Sequence, residues 1–236
     1  MTRTLQIVPV LDLKGGIVVH ARRGARAEYA PLRSPLVDGC EPVAMARAVC
    51  AAGRSSRLYV ADLDALAGEP PREATLGSLA VVAEIWVDAG ATTPPRAAAL
   101  RRAGAARNVV GTESLGPGAL TGAAGLAPPP LVLSIDLRGG RLISPDPELH
   151  GRDPAAAASL ARGLGVTELL VIDLARVGSG SGPPLDAVAA LAAALPGVAI
   201  YAGGGVRDDD DLAALESAGA AGALVATALH EGRITV

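Results

Sequence analysis

The sequence predicts an α/β fold, a single (β/α)8 barrel built from two half-barrels, on three observations: eight short apolar runs, helix-patterned segments between them, and an internal repeat of half the chain. The runs fall at 6–11, 57–61, 84–87, 107–110, 131–135, 168–172, 198–202 and 223–225. Near-continuous apolar runs of this length suit strands buried on both faces, as in a parallel sheet covered by helices. Between them, segments 42–52, 95–103, 154–164, 185–195 and 209–218 carry apolar residues at helical spacing. Alternation of this kind favours an eightfold barrel over an open doubly wound sheet. The repeat decides the matter. "PVLDLKGG" at 9–16 returns as "LSIDLRGG" at 133–140, "YVADLDA" at 59–65 returns as "LVIDLAR" at 170–176, and "AAALRRAGAARNVVGT" at 97–112 returns as "LAALESAGAAGALVAT" at 212–227. Three matches in one order, at nearly constant separation, imply half-barrels of about 1–122 and 123–236, joined through the Gly/Pro-rich stretch 116–130.

A chain of 236 residues, half of them apolar, buries one sizeable core. With no Phe, one Trp and three Tyr, that core falls to Ala, Val and Leu, and Trp86 is read as a core or rim residue of the third strand. A net charge of −3 and a pI near 5.6 provide no general basic field for nucleic acid but leave room for small anions, which need only a local site. The first apolar stretch already contains Asp12 and lacks a cleavage region, and no stretch reaches the roughly 18 uncharged apolar residues that span a bilayer. A soluble, cytoplasmic protein is expected, without membrane or nucleic acid among its partners; oligomeric state is not readable. Cys40 and Cys50 match no metal or redox spacing. His20, His150 and His230 are too dispersed for a zinc site and read as surface or loop residues, so neither metal nor cofactor is expected. Lys14, the only lysine, lies beside Asp12, and a Schiff-base role for it is a minor alternative.

In each half an aspartate closes an apolar strand and a Gly-Gly pair follows: Asp12 before Gly15 and Gly16, Asp136 before Gly139 and Gly140. Barrel enzymes keep their active sites at the C-terminal rim, so carboxylates ending strands one and five face each other across the mouth. If one is held ionised and the other protonated, the pair serves as base and acid. The alternative is that each aspartate satisfies only the amides of its own loop. After strand seven, "YAGGGVRDDDD" places Gly203, Gly204 and Gly205 before a helix start, where backbone amides approach an anion closely. After strand eight, "VATALHEG" adds Ala226 and Thr227, and the two loops together form the expected phosphate cradle, unless the glycines make only a tight turn. The acidic run 208–211 reads as a first helical turn complementing the dipole rather than as a metal site. In the first half the glycine triplet gives way to Asp88, Ala89 and Gly90. A second phosphate there would use Gly90, Thr92, Thr93, Gly111 and Thr112, against the charge of Asp88.

These motifs, in this order, resemble the histidine-biosynthesis isomerase and cyclase superfamily, which includes phosphoribosylformimino-aminoimidazole carboxamide ribotide isomerase and the cyclase subunit of imidazole glycerol phosphate synthase. The likeness runs from "VPVLDLKGGIVVH" through "VADLDA", "SIDLR" and "GGGVRDDDDLAAL" to "ALHEGRIT". It implies Asp12 as base and Asp136 as acid in an Amadori rearrangement of an aminoaldose phosphate to an aminoketose phosphate. It also implies that Ser179, in "ARVGSGSG", takes the hydroxyl position of a catalytic loop, and that His20 and Asp173 join the substrate-binding set. The chain departs from the pattern where Val177 replaces a loop acid, His20 an arginine, and Ala226 a glycine. Its "RRGARAEYAPL" at 22–32 is also unlike either enzyme, leaving Arg22, Arg23, Arg26 and Tyr29 as candidates to cap a second anion. Such departures resemble a paralogous group linked to methanopterin-type one-carbon metabolism. The expected function is an isomerase acting on a small phosphorylated metabolite. The alternatives are a paralogue in one-carbon cofactor synthesis and a non-catalytic barrel that binds phospholigands; the cyclase is disfavoured because no glutaminase-docking feature is recognisable.

Overall fold

Eight parallel strands close on themselves in a computed structural model that describes residues 5–117 and 130–234, giving the TIM-barrel form of the α/β fold. The strands are β1 (Gln6–Lys14), β2 (Ile17–Val19), β3 (Arg57–Asp62), β4 (Glu84–Asp88), β5 (Arg107–Gly111), β6 (Leu131–Arg138), β7 (Arg141–Leu142), β8 (Glu168–Asp173), β9 (Ala199–Gly203) and β10 (Gly222–Val225). All but β2 and β7 form the barrel, each pairing in parallel with the next, and β10 pairs with β1, which closes the eight strands into a ring. The eight expected strands are all present. The largest difference lies at β1 and β6, which run on past the apolar residues and fold back antiparallel into β2 and β7. Both turns use a glycine pair at positive φ, Gly15–Gly16 and Gly139–Gly140, so the repeat extends to the hairpins.

Around the sheet lie α1 (Pro42–Ala52), α2 (Leu63–Leu66), α3 (Glu73–Ala80), α4 (Pro94–Arg102), α5 (Ala158–Leu164), α6 (Leu185–Ala194), α7 (Asp209–Ser217) and α8 (Thr227–His230). Local chemistry sets several starts. The Glu41 carboxylate accepts from the amides of Val43 at 2.9 Å and Ala44 at 2.7 Å, with Pro42 at the first helical position of α1. Asp208 accepts from the Asp211 amide at 3.1 Å and caps α7, while the Asp211 carboxylate binds the Arg207 guanidinium, so the acidic run opens a helix. The joint expected at 116–130, and the half-barrel boundary within it, fall mostly on residues 118–129, outside the described residues. Among the described residues, no helix is long and apolar enough to cross a membrane.

Strand periodicity then places the site. Alternate side chains of a strand point to opposite faces. The set containing Leu11, Leu58, Ile85, Leu133, Val171 and Ile200 packs outward against Met45, Leu76, Leu100 and Leu191 of the helices. The opposite set, with Val8, Tyr59, Trp86, Val109, Val132, Leu170, Tyr201 and Leu224, fills the lumen. Trp86 and Tyr201 hold the same place in the two halves, and their rings meet edge-on with centroids 4.8 Å apart. Trp86 is therefore a core residue. Continuing the lumen-facing register to the C-terminal rim reaches Asp12 on β1, Asp88 on β4 and Asp136 on β6. Asp62 on β3 and Asp173 on β8 stand one residue out of step and face away.

Candidate active site

The lumen opens at the C-terminal ends of the strands into a cavity of about 350 Å³, with Asp12, Asp88 and Asp136 in its wall beside Glu113, Tyr59 and Arg26. Asp136 is held firmly. Its Oδ1 accepts from the Ser134 hydroxyl at 2.7 Å and its Oδ2 from the Glu113 amide at 3.1 Å, while its own N–H donates to Thr112 Oγ1 at 3.0 Å. Gly111 makes room for it, since a Cβ there would lie 2.3 Å from Asp136 Oδ2. Asp88 Oδ2 accepts from the Tyr59 hydroxyl at 3.1 Å, whereas the buried Asp88 Oδ1 has no hydrogen-bond partner.

Crowding carboxyl groups in a desolvated lumen raises their pKa values. Burial pushes Asp12 up to about 7, with the Arg26 guanidinium opposing and the charge of Asp88 adding, although part of the Asp12 surface still faces the cavity. Burial, then the charge of Glu113, brings Asp88 to about 7. Asp136 rises furthest, to about 8, through burial and then the charges of Glu113 and Asp88, against its hydrogen bonds from Ser134 and Glu113. The Tyr59 hydroxyl is pushed well above its ordinary value by burial and then by Asp88, Asp136 and Asp12, so all three aspartates act on one point of the lumen. Near neutrality such a set holds both protonated and ionised carboxyl groups, and so contains both a proton donor and a proton acceptor.

The opposite wall carries Gly203, Gly204, Gly205, Ala226 and Thr227, with Ser179, His20 and Arg207. Close packing requires these glycines. A Cβ on Gly204, at φ +94°, would come within 2.6 Å of the Asp173 carbonyl oxygen, and one on Gly205, at φ +86°, within 2.6 Å of that of Gly182. Ser179 Oγ donates to the Arg176 carbonyl at 2.7 Å and shares a 2.7 Å hydrogen bond with Ser181 Oγ. The Arg207 guanidinium stands at the rim in an ion pair with Asp211, at 2.9 and 2.7 Å. His230 corrects the surface reading: it is 5% exposed, lines the same cavity, and hydrogen-bonds Ser34 Oγ through Nδ1 at 2.9 Å. Burial lowers its pKa, as does the neighbouring charge of His20.

Six residues expected in the binding set, Asp173, Gly90, Thr92, Thr93, Gly111 and Thr112, do not line the cavity. Asp173 faces away from the lumen and accepts from the amides of Gly139, Gly140 and Ala175 at 3.1, 2.9 and 3.0 Å, closing the turn between β6 and β7. Its repeat mate Asp62 accepts from the amides of Ala65 and Arg72 at 3.2 and 3.0 Å. Gly111 and Thr112 serve Asp136, as described. Gly90, at φ +63°, and Thr92 belong to the turn before α4, where Arg96 donates to the carbonyls of Ala65 and Ala89 at 2.8 and 3.1 Å. From the 22–32 loop Arg26 and Tyr29 reach the cavity, with Arg26 paired to Glu113, whereas Arg22 and Arg23 do not line it. Lys14 Nζ donates to the Arg26 carbonyl at 2.7 Å and lies outside the wall, which leaves no support for a Schiff base. Sequence reasoning missed Tyr59, Glu113, Arg207 and His230 as wall residues, and treated Asp88 only as an obstacle.

Comparison with known proteins places these features among relatives. Residues 6–235 match the family described as histidine biosynthesis protein. A 1-(5-phosphoribosyl)-5-((5-phosphoribosylamino)methylideneamino) imidazole-4-carboxamide isomerase of Rubrobacter xylanophilus is 36% identical over 98% of this chain and 93% of its own. The enzyme of that name from Acidithiobacillus ferrooxidans is 30% identical over 97% of this chain and 95% of its own. An uncharacterised protein of Methanocaldococcus jannaschii is 27% identical over 97% of this chain and 94% of its own.

Proposed function

The chain belongs to the histidine biosynthesis protein family, and from that membership we propose that it is an isomerase converting an aminoaldose phosphate of the phosphoribosyl type into the aminoketose. The observation that carries the mechanism is the placing of Asp12 and Asp136, from opposite halves, in one cavity with pKa values raised to about 7 and about 8. Protonated Asp136 gives its proton to the ring oxygen as the C1–O bond breaks, leaving an iminium at C1. Ionised Asp12 then takes the proton from C2, and the resulting enolamine becomes a ketone at C2 as Asp12 passes that proton to C1 and the C2 hydroxyl proton returns to the ionised Asp136. Atoms are conserved, and each aspartate needs only the protonation state its surroundings favour. The turn at Gly204 and Gly205, with Thr227 after β10, supplies the anion-holding side.

The test is turnover of the substrate named for the relatives, with complementation of an auxotroph lacking that isomerase. Asp12→Asn and Asp136→Asn are each expected to lower kcat by about 10²–10⁴ with ligand affinity largely kept. Turnover undiminished from wild type in either variant sinks the acid/base reading, and phosphate-ester binding with no turnover on any aminoaldose phosphate favours a binding barrel instead. The pH profile of kcat/KM is expected to rise through about 7 as Asp12 ionises and to fall above about 8 as Asp136 loses its proton, the limbs belonging to the coupled set. A second reading, a substrate other than that of the named relatives, is favoured by Asp88 in the first-half position of the missing glycine triplet. A link to one-carbon cofactor synthesis rests on the resemblance alone.

A further inference from the structure

The glycine turn after β9 and the turn after β4 are the same segment in the two halves. "IWVDAG" at 85–90 stands against "IYAGGG" at 200–205, with Trp86 opposite Tyr201 and Asp88 opposite Gly203. At β9 the position carries no side chain, and the wall is backbone. At β4 a carboxylate enters the lumen, 6% exposed, with Oδ2 bonded to Tyr59 and Oδ1 without a partner, although the Gly90 amide lies near enough to favour its ionised form. Its surroundings are negative: Glu113 acts on it, and it acts on Asp12 and Asp136. Arg26, whose charge opposes them, is paired with Glu113.

A buried acceptor left without a donor is costly, and the carboxylate that carries it belongs to a residue lining the cavity where a ligand goes. An anion brought there meets like charge, whereas a cationic donor beside the Asp88 carboxylate relieves the repulsion among the carboxyl groups that share the wall. Among the described residues no group of carboxylates or histidines is arranged to hold a metal ion, so the donor is organic. We propose that the β4 side of the cavity is a subsite for a protonated amine or amidine of the ligand, set across the lumen from the phosphate held after β9 and β10. The ligand is then an amino-bearing phosphate monoester, as in the second reading above of a substrate other than that of the named relatives, and Asp88 is the residue that makes the choice. This rests on the phosphate reading of the opposite wall given above.

The test is calorimetric titration of the full chain with a graded series of aminoalkyl phosphates and their hydroxyalkyl counterparts of equal length. At least one amine ester is expected to bind about tenfold or more tightly than its hydroxyl counterpart, a preference lost in Asp88→Asn and in Asp88→Gly while affinity for the hydroxyl esters is kept. Asp88→Gly, which copies the residue at 203, serves if Asp88→Asn does not fold. Hydroxyl esters binding with no amine preference in the wild-type chain overturn the subsite alone, as does a preference that survives in a folded variant. Failure of every ester to bind overturns the phosphate reading and this inference with it.

Discussion

The rims at β4 and β9 share a backbone plan and an aromatic neighbour, Trp86 in one and Tyr201 in the other, yet one ends in a buried carboxylate and the other in a glycine turn. The same divergence recurs around the barrel. Gly111 after β5 leaves space for Asp136, while its counterpart after β10 is Ala226 in the cavity wall. Asp62 and Asp173, by contrast, keep one task in both halves, holding loop amides. A duplicated fold thus retains the residues that close its turns and the facing pair Asp12 and Asp136, and differs at the lumen positions after β4 and β5, where one side chain reverses the local charge without altering the barrel.

The largest effect that would sharpen this contrast is on stability against pH. Asp88 has a folded pKa raised from 3.8 to about 7, so its favourable contribution is full below the unfolded value and is lost as pH rises through about 7. Asp88→Asn removes that loss, and the variant is expected to gain roughly 1–4 kcal/mol over wild type at pH 8 relative to pH 4, as measured by urea unfolding at both values. The same substitution is expected to move both limbs of the rate profile to lower pH, because Asp88 raises Asp12 and Asp136. A stability difference independent of pH would show that Asp88 is not ionised at a cost, and the contrast between the rims would lose its electrostatic basis.

How much of this was legible follows from the same geometry. The eight strands were visible because strands covered on both faces read as continuous apolar runs, and the repeat picked out Asp12 and Asp136 by showing each twice. That burial also hides orientation: with both faces apolar, alternation vanishes, and nothing in "LLVID" tells that Leu170 and Ile172 face the lumen while Asp173 faces out. Once one lumen residue per strand is known, counting in twos places Asp88 inside and Asp173 outside. The pairing of Arg26 with Glu113 joins residues 87 apart and carries no local signal. The α3 segment, too short and too weakly patterned, was likewise not foreseen.

A middle-sized effect tests the glycine turn. Gly204→Ala forces a Cβ into a left-handed residue 2.6 Å from the Asp173 carbonyl oxygen, and a loss of about 1–3 kcal/mol is expected. The counterpart Ala89, already buried with a side chain, is expected to lose about 1 kcal/mol or less as Ala89→Gly. Equal losses at the two positions would mean that the rims share one backbone conformation, and the difference between them would reduce to a single side chain.

The smallest effect lies at the helices that follow. α4 and α7 are repeat mates, and each begins after a residue able to cap it, Thr93 and Asp208. Only Asp208 does so, accepting from the Asp211 amide at 3.1 Å; Thr93 makes no such bond. A side-chain cap contributes about 1 kcal/mol, and a carboxylate adds a favourable interaction with the helix dipole that salt screens. Asp208→Ala is therefore expected to cost about 1 kcal/mol and Thr93→Ala close to nothing, by thermal unfolding at low salt, with the Asp208 effect shrinking as salt is added. The converse substitution, Thr93→Asp, decides between two accounts of the gap. If a missing carboxylate is the whole reason, it gains part of that amount. If it gains nothing although both residues are extended, the placing of the first turn of α4 relative to Thr93 is the cause, and the halves differ in backbone as well as in charge.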